Sequence, residues 1–380
     1  MRVFLTVLDS FGAGALPDAD LFGDLGSNTV AAVKSSPYFN CPNLMALGLF
    51  NLPTQLCEKT IVSPVGSYGL AAEKSAGKDT TVGHWEIAGV VTNKPFPVYP
   101  NGFSKTIIDD FERFTKRKVL CNMPYSGTDV IRDYGETQIS TGGLIVYTSA
   151  DSVFQVAAHV DSVSIENLYK YCEYARKITS VARVIARPFS GNAGAFFRTD
   201  GRRDYSLEPP SETMLDIIKS SGKDVFAIGK ISNIFCGRGI TKSIHTNGND
   251  EGINCIKEML DTPFNGLCFT NLVDFDMIFG HRNDINGYAQ AMTKFDKFLG
   301  YMIENQKEND LYIITADHGC DPSTPSTDHS REYIPILVFG KAVAKNNYFG
   351  IRSSFSDIAA TICDFLHVSS PNNGKKIEVF

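Results

Sequence analysis

Six residues are of the types that bind divalent cations, and most of them lie at the ends of predicted strands. They are Asp9, Asp276, His281, Asp317, His318 and His329. Asp9 follows the apolar run at 3–8, Asp276 follows the run at 267–272, and Asp317 follows the run at 311–315. Because the functional crevice of an open α/β sheet lies at the carboxyl ends of its strands, we expect the ligands to meet there. Carboxylates and imidazoles without thiolates suit Mn²⁺, Zn²⁺ or Mg²⁺, and two ions about 3.5–4 Å apart would support phosphoryl transfer.

Taken one at a time, these residues have ordinary structural explanations. A single Asp after a strand is more often a turn or N-cap residue, and a single His is more often a hydrogen-bonded surface group. The joint pattern favours a metal site, because three of the seven histidines of the chain belong to it. We expect structural roles for His159, His245 and His367, and supporting or solvated positions for Asp274 and Asp328.

Residues 77–86 (GKDTTVGHWE) could supply a nucleophile and contain the only Trp of the chain. A threonine hydroxyl reacts poorly unless it is deprotonated, and coordination to a divalent ion lowers its pKa and positions it. An isolated Asp-Thr-Thr would instead predict a turn with a threonine at a helix N-cap. Beside a two-metal cluster we favour the nucleophile, with Thr80 as our choice and Thr81 as the alternative.

Length and composition indicate an ordinary globular protein of more than one domain. The chain has 380 residues, and single hydrophobic cores stop growing near about 250–300 residues. Apolar residues make up 43% and charged residues 21%, and the net charge is −6. This charge argues against a general nucleic-acid or anionic-membrane binder, but it leaves room for a local basic pocket.

Apolar runs alternate with amphipathic helical patterns, which predicts an α/β fold with a doubly wound sheet. The runs at 3–8, 225–228, 267–272, 311–315 and 334–339 are apolar on both faces and are predicted to be buried parallel strands. Between them, apolar residues recur at helical spacing over 285–302, and a helix at 213–220 is predicted to end before Gly222.

The middle of the chain predicts a separate domain. Two Pro-rich segments, at 93–103 and 206–211, have the composition of linkers. Strands are predicted between them at 144–148, 154–158 and 181–186, with a helix over 165–175. We therefore predict a smaller α/β cap domain at 97–210, inserted into a discontinuous core domain made of 1–96 and 211–380.

Cysteine usage and hydropathy predict a cytoplasmic protein. The nine cysteines lie singly without a CxxC pair, which argues against a disulfide framework or a cysteine zinc site and favours reduced, buried thiols. The N-terminal apolar run is too short for a signal peptide, and no run approaches the length of a membrane span.

At these motifs the chain resembles the phosphopentomutases of the alkaline phosphatase superfamily over nearly its full length. The matching strings in the predicted core are DSFGAG at 9–14, GKDTTVGHWEIAG at 77–89, GKISNIF at 229–235, DFDMIFGHRND at 274–284 and TADHGCDPSTPSTDHSRE at 315–332. The middle matches at 147–159 (YTSADSVFQVAAH) and 186–210 (ARPFSGNAGAFFRTDGRRDYSLEPP). The cofactor-independent phosphoglycerate mutases share the metal pattern, but not the GHWE or DFD strings.

The resemblance implies an alkaline-phosphatase-like core and a role for each candidate. One Mn²⁺ would bind Asp276, His281 and His329. The other would bind Asp9, Asp317 and His318, with Thr80 as the phosphorylated nucleophile. Mg²⁺ or Zn²⁺ could satisfy the same ligands.

The resemblance also implies substrate contacts. It places Ser149 and Asp151 at the sugar, Arg187 and Arg202 near the distal phosphate, and Lys230 beside a phosphate in the core domain. Arginine suits this task because its planar guanidinium can bind a phosphate through two hydrogen bonds. Since Arg203 directly follows Arg202, which of the two faces the substrate is open.

The implied reaction interconverts ribose 1-phosphate and ribose 5-phosphate, and the deoxyribose pair. A sugar bisphosphate such as glucose 1,6-bisphosphate would prime the threonine, and the reaction would link nucleoside catabolism to the pentose phosphate pool. We expect pentose phosphates as partners, no nucleic acid, no membrane, and a monomer. The alternatives are a phosphatase or phosphodiesterase of the same superfamily and a metal-binding protein without catalysis; the complete ligand set argues against the latter.

Overall fold

The computed structural model of the protein describes residues 1–54, 63–149 and 152–380. Asp151, expected at the sugar, lies outside these ranges. The chain divides into two compact units, Met1–Lys94 with Pro209–Phe380, and Pro95–Glu208. Each unit contains a sheet of its own. Among the described residues, none of the helices combines the length and the hydropathy that crossing a bilayer requires.

The strands of the described chain, in order, are β1 Arg2–Leu8, β2 Ser67–Ala71, β3 Val119–Pro124, β4 Leu144–Thr148, β5 Val153–His159, β6 Arg183–Ser190, β7 Phe197–Arg198, β8 Arg203–Ser206, β9 Asp224–Ile228, β10 Lys242–Ile244, β11 Gly266–Leu272, β12 Asp310–Thr315, β13 Ile334–Phe339 and β14 Asn347–Arg352.

The α-helices, in order, are α1 Thr29–Lys34, α2 Pro42–Ala46, α3 Thr80–Ile87, α4 Lys105–Thr115, α5 Asp129–Thr141, α6 Ile165–Ile178, α7 Met214–Ser220, α8 Ile231–Ile234, α9 Asn249–Asp261, α10 Ile285–Glu304 and α11 Ser356–Phe365. Short 3₁₀ turns cover Ala19–Phe22, Leu49–Asn51 and Gly280–Arg282, and a π-helical turn covers Phe275–Phe279.

The larger unit is built on a sheet with the strand order β10-β9-β11-β1-β12-β13-β2-β14. Strand β1 lies between β11 and β12 and runs parallel to both. All residues of these three strands are buried, as expected for strands that are apolar on both faces. The predicted α/β class with a doubly wound core sheet is confirmed, and the pairing brings the carboxyl ends of β1, β11 and β12 to one edge.

The predicted direction of one strand is wrong. Strand β13, expected to be parallel, pairs antiparallel with both β12 and β2. The connection from β12 to β13, residues 316–333, contains no helix, whereas a parallel neighbour needs a crossover that is usually helical. The chain therefore reverses direction between β12 and β13. The apolar sequence of β13 could not predict its direction, because a strand buried on both faces has the same composition whether it runs parallel or antiparallel.

The smaller unit contains a sheet with the order β3-β4-β5-β6-β7, in which β8 also pairs with β6. One face packs against α4 and α6 through a cluster that includes Phe111, Phe154 and Leu168. The other face packs against α5, where Val130 and Ile131 contact Tyr147 and Phe189. Because successive side chains of a strand point to opposite faces, this second face also carries Arg187, which lies between Ile185 and Phe189 on β6.

Candidate active site

The register of the core sheet determines where the ligands lie. The ends of β1 and β11 are level, since Leu8 pairs with Leu272, and the Asp9 amide donates to the Leu272 carbonyl oxygen at 3.3 Å. Asp276 follows β11 inside a π-helical turn, a feature that is frequent at functional sites. Asp317 lies two residues after the last residue of β12. One sheet edge thus presents all three carboxylates.

The first ligand group consists of Asp276, His281 and His329, whose ligand atoms lie within 4.8 Å of one another. His281 Nε2 lies 3.2 Å from Asp276 Oδ2, and His329 Nε2 lies 3.5 Å from Asp276 Oδ1. The opposite nitrogen of His281, Nδ1, donates to the Thr327 carbonyl oxygen at 2.7 Å. This hydrogen bond orients the imidazole so that Nε2 faces the group, as is usual for histidine ligands of metals.

The second ligand group consists of Asp9, Asp317 and His318, and all three are buried. His318 Nε2 lies 3.4 Å from Asp9 Oδ1 and 3.2 Å from Asp317 Oδ2. His318 Nδ1 donates to the Gly319 carbonyl oxygen at 3.0 Å. The rings of His318 and His329 have centroids 4.0 Å apart, so the two groups lie side by side.

The donor atoms of both groups fit divalent cations. Asp9 Oδ2 accepts from Asn271 Nδ2 at 3.0 Å, and Asp317 Oδ1 accepts from the Ser10 amide at 3.1 Å. Among the residues that the structure describes, the second oxygen of each carboxylate has no hydrogen-bond partner, and neither do Asp276 Oδ1 and His329 Nε2, although all four atoms are buried. Buried polar atoms are nearly always paired, and cations at these two groups would satisfy the atoms that the protein leaves unpaired.

The electrostatics of the site couple the carboxylates to the imidazoles. Burial by itself would raise the pKa of Asp276, but His329 and His281 outweigh it and hold this pKa well below the ordinary value. The hydrogen bond to Asp276 raises the pKa of His281 to about 11. Burial would likewise raise the pKa of Asp317, but its neighbours His318 and His84 lower it. Protons and cations therefore compete for the same atoms, and metal binding releases protons.

Thr80 lies at the second group because it begins α3. Asp79 caps this helix by accepting from the amides of Thr81 and Val82 at 3.0 and 3.2 Å. The Thr80 hydroxyl then lies 3.0 Å from His318 Nε2. A Cβ at Gly83 would lie 2.1 Å from the Asp317 carbonyl oxygen, so glycine allows α3 this close approach. The helix N-terminus also favours a phosphate at this position.

A second candidate site lies within the smaller unit. Its pocket, of about 300 Å³, is lined among others by Ser149, Arg187, Arg198 and Arg202. Arg202 forms two hydrogen bonds with Asp204, at 2.8 and 2.7 Å. Burial lowers the pKa of Arg187, and the nearby charges of Arg202 and Arg198 lower it further. This concentration of positive charge suits an anion.

The alternation of strand residues separates Arg202 from Arg203. Arg203 begins β8 and pairs with Ala186, whereas Asp204 pairs with Ile185 on the pocket face. The Arg203 guanidinium lies over the rings of Tyr169 and Tyr205, at 5.2 and 5.1 Å from their centroids. Arg202, bound to Asp204, lines the pocket. Of the two arginines, therefore, Arg202 is the one at the anion pocket.

Comparison with known proteins assigns the family. The chain matches the Metalloenzyme superfamily over residues 1–370. The phosphopentomutase of Lachnoclostridium phytofermentans is 52% identical over 380 residues, which cover 98% of this chain and 97% of the relative. That of Thermotoga petrophila is 50% identical over 381 residues, covering 98% of each chain. The chain belongs to the phosphopentomutase family. As a member, it is an enzyme of the isomerase class and a metalloenzyme.

The phosphopentomutase-family chain also resembles a solved structure of low sequence identity. The phosphoglycerate mutase of Leishmania mexicana aligns with a TM-score of 0.52 at 12% identity, covering 100% of this chain and 97% of that one. At this identity the likeness concerns the fold alone. Together with the superfamily match, it agrees with the predicted fold class.

Lys230, expected beside a phosphate, lies in the larger unit. It follows β9 and immediately precedes α8. A Cβ at the preceding Gly229 would lie 2.4 Å from the carbonyl oxygen of Asn271, the residue that holds Asp9. The backbone of Lys230 thus lies at the same sheet edge as the candidate metal ligands. Its side chain is half-buried.

Several residues that support the site were not identified from the sequence pattern. His84 Nδ1 lies 2.8 Å from the Thr80 carbonyl oxygen and 3.1 Å from Asp317 Oδ2. Ser10 takes a left-handed backbone conformation with φ of 70°, which is uncommon for a residue with a side chain. Its amide holds Asp317. The position of His84 four residues after Thr80 was a usable signal, because residues at this spacing share a helix face.

Arg331 and Glu332 anchor the loop that carries His329. Glu332 accepts hydrogen bonds from the amides of Gly14 and Thr29, and from the hydroxyls of Thr29 and Ser330. The buried Arg331 guanidinium donates to Glu73 at 2.8 Å and to Asp18 at 3.0 Å. These contacts tie the ligand loop to three distant segments of the core unit.

We expect Arg331→Ala to lower the free energy of unfolding by about 3–5 kcal/mol, because it leaves the buried Glu73 carboxylate without its partner. Thermal or urea unfolding followed by circular dichroism measures this. Lys341→Ala is the control, since Lys341 pairs with Glu308 at 3.0 Å on the surface, where a pair contributes little. Equal unfolding midpoints for the two variants would contradict the anchoring role of Arg331.

Proposed function

We propose that the protein interconverts ribose 1-phosphate and ribose 5-phosphate, and the corresponding deoxyribose phosphates, through a phosphothreonine at Thr80. The observation that carries this proposal is the Thr80 hydroxyl, 3.0 Å from His318 Nε2, at the N-terminus of a helix beside six metal-type ligands. Relatives named phosphopentomutase at about half identity over nearly the whole chain support it.

Two divalent ions are part of the proposal, and the family resemblance favours Mn²⁺ over Mg²⁺ or Zn²⁺. Asp276, His281 and His329 would hold one ion. Asp9, Asp317 and His318 would hold the other. When bound, such ions neutralise phosphoryl oxygens and lower the pKa of a hydroxyl that attacks phosphorus.

In the proposed reaction, phosphorylated Thr80 transfers its phosphoryl group to the free hydroxyl of a pentose monophosphate. The P–O bond to Thr80 Oγ1 breaks, a P–O bond to the sugar oxygen forms, and the proton of that hydroxyl passes to Thr80. The sugar bisphosphate then returns its other phosphoryl group to Thr80. Asp79 fixes the first turn of α3 by accepting from the amides of Thr81 and Val82, and this positions the Thr80 hydroxyl. A sugar bisphosphate such as glucose 1,6-bisphosphate primes Thr80.

The smaller unit is proposed to be the cap domain and to bind the substrate away from the reacting phosphate. Arg187 and Arg202 would bind the phosphate that is not being transferred, while Ser149 and Asp151 would contact the sugar. Lys230, in the larger unit, would offset phosphate charge. We further propose a cytoplasmic monomer that links nucleoside catabolism to the pentose phosphate pool.

A coupled assay of ribose 1-phosphate conversion to ribose 5-phosphate, with manganese and glucose 1,6-bisphosphate present, tests the function. We expect stoichiometric ribose 5-phosphate with slow release of inorganic phosphate. Rapid phosphate release without ribose 5-phosphate would indicate a phosphatase and overturn the proposal.

We expect Arg202→Ala to raise KM for ribose 5-phosphate by roughly tenfold to a hundredfold, since it removes a charge-assisted contact to phosphate. Steady-state kinetics of the reverse reaction measure this. Arg203→Ala is the matched control, because Arg203 stacks on Tyr169 and Tyr205, and its kcat/KM should stay near the wild-type value. A larger effect at Arg203 would reverse the assignment of the two arginines.

A further inference from the structure

The hydroxyl of Tyr147 has no partner in the described chain although it is buried. Tyr147 lies on β4 with 1% of its surface exposed, and its Oη makes no hydrogen bond. Buried tyrosine hydroxyls usually find a partner. The Tyr147 hydroxyl is therefore available to donate a hydrogen bond to a group that binds beside it.

Three arginines lie around this hydroxyl. Burial raises the pKa of Tyr147, and the positive charges of Arg187, Arg198 and Arg202 oppose that rise. Arg198 reaches the same face of the sheet because β7 pairs antiparallel with β6, which places it opposite Phe189. Arg198 was not among the residues predicted from the sequence.

Gly127 leaves the space in which these groups meet. A Cβ at this position would lie 2.2 Å from Arg198 Nη2 and 2.8 Å from Tyr147 Oη. Gly127 precedes α5, a helix of 13 residues whose N-cap residue Thr128 makes no capping hydrogen bond through its side chain. The positive end of a helix dipole thus lies beside the tyrosine and the arginine.

Among the described residues of the smaller unit, carboxylates do not balance all the positive charges of the pocket. Asp204 pairs with Arg202 at 2.7 Å. Arg187 donates to the neutral Gln155 at 3.2 Å, and Arg198 forms no ion pair with any described residue. Two guanidinium charges therefore have no carboxylate partner among the described residues, which matches the charge of a phosphate monoester dianion.

We propose that Tyr147 and Arg198 are specificity-determining residues that recognise the phosphate of the pentose phosphate that is not being transferred. The Tyr147 hydroxyl donates to a phosphate oxygen, and the Arg198 guanidinium binds the same phosphate from the strand opposite Phe189. The inference rests on the proposed function, because that function supplies the substrate with this second phosphate. The two residues make the pocket select phosphorylated sugars over neutral ones.

Kinetics of conservative variants test this role. Tyr147→Phe removes only the hydroxyl, and we expect it to raise KM for ribose 5-phosphate by about tenfold with a smaller change in kcat. Arg198→Gln is expected to raise KM by at least about tenfold. The control for the tyrosine is Tyr205→Phe, because Tyr205 Oη is also buried with no hydrogen-bond partner in the described parts of the chain but belongs to the opposite face of the sheet. The control for the arginine is Arg203→Gln.

A binding measurement separates this inference from the proposed function. The metal-loaded full-length protein and its four variants are titrated with inorganic phosphate in a calorimeter, which requires no turnover. We expect Tyr147→Phe and Arg198→Gln to weaken one phosphate site about tenfold relative to wild type and both controls. Equal titrations in all five proteins would overturn the inference even if the mutase assay succeeds. If Tyr147→Phe does not fold, Arg198→Gln decides, because Arg198 is exposed on a short strand.

Discussion

Thr80→Ala is expected to lower kcat for the conversion of ribose 1-phosphate to ribose 5-phosphate by at least about 10⁴-fold, because it removes the proposed nucleophile. Alanine suits the first turn of α3, since it has the highest helix propensity. The Asp79 cap uses the amides of Thr81 and Val82, so the variant keeps the helix start. The six ligands are unchanged, and we expect the same metal content by inductively coupled plasma mass spectrometry.

Thr81→Ala is the matched control, because it removes the hydroxyl of the adjacent threonine, which was the alternative nucleophile. Thr81 is buried, with 8% of its surface exposed, whereas the Thr80 hydroxyl contacts His318. We expect Thr81→Ala to keep kcat within about tenfold of wild type. Mass spectrometry of protein incubated with glucose 1,6-bisphosphate should locate phosphate on Thr80. Phosphate on Thr81, or turnover by Thr80→Ala, would disprove the assignment.

The fold was predictable where burial alone decides it. The runs that became β1, β9, β11 and β12 are apolar on both faces, and a central parallel strand requires this composition. The direction of β13 was not predictable, because it depends on whether residues 316–333 cross over or turn back. That choice is made by loop contacts such as the hydrogen bonds of Glu332 to Gly14 and Thr29, which no local pattern reveals.

The clustering of the six metal-type residues was predictable because most of them are carboxylates or imidazoles placed after strands whose ends meet at one sheet edge. The residues that orient these side chains were not predictable, because they act through hydrogen bonds to residues that are distant in the sequence. Asn271 binds Asp9 across 262 positions of sequence, and an asparagine within an apolar strand has no distinctive spacing. Arg198 was missed for a similar reason: only the pairing of β7 with β6 brings it to the face of Tyr147.

Asp276→Asn is expected to prevent binding of the proposed cation at the first ligand group and to lower kcat by about 10³-fold or more, because cation binding and charge stabilisation at that group would both need a carboxylate. Asp276 contacts both imidazoles of its group, with His281 at 3.2 Å and His329 at 3.5 Å. Asparagine keeps the shape of the side chain but carries no negative charge to offset a cation. Metal content should fall from two ions per chain to about one, and turnover with excess manganese should recover only partly.

Asp274→Asn provides the control two residues away. Asp274 Oδ2 accepts from the Asn249 amide at 2.7 Å at the start of α9, and Asp274 belongs to neither ligand group. We expect full metal content and near wild-type kcat, with a loss of stability of up to about 1–2 kcal/mol from the weakened helix start. Equal loss of metal in both variants would refute the ligand assignment. Because both substitutions only exchange a carboxylate for an amide, a difference between them locates the charge that the cation requires.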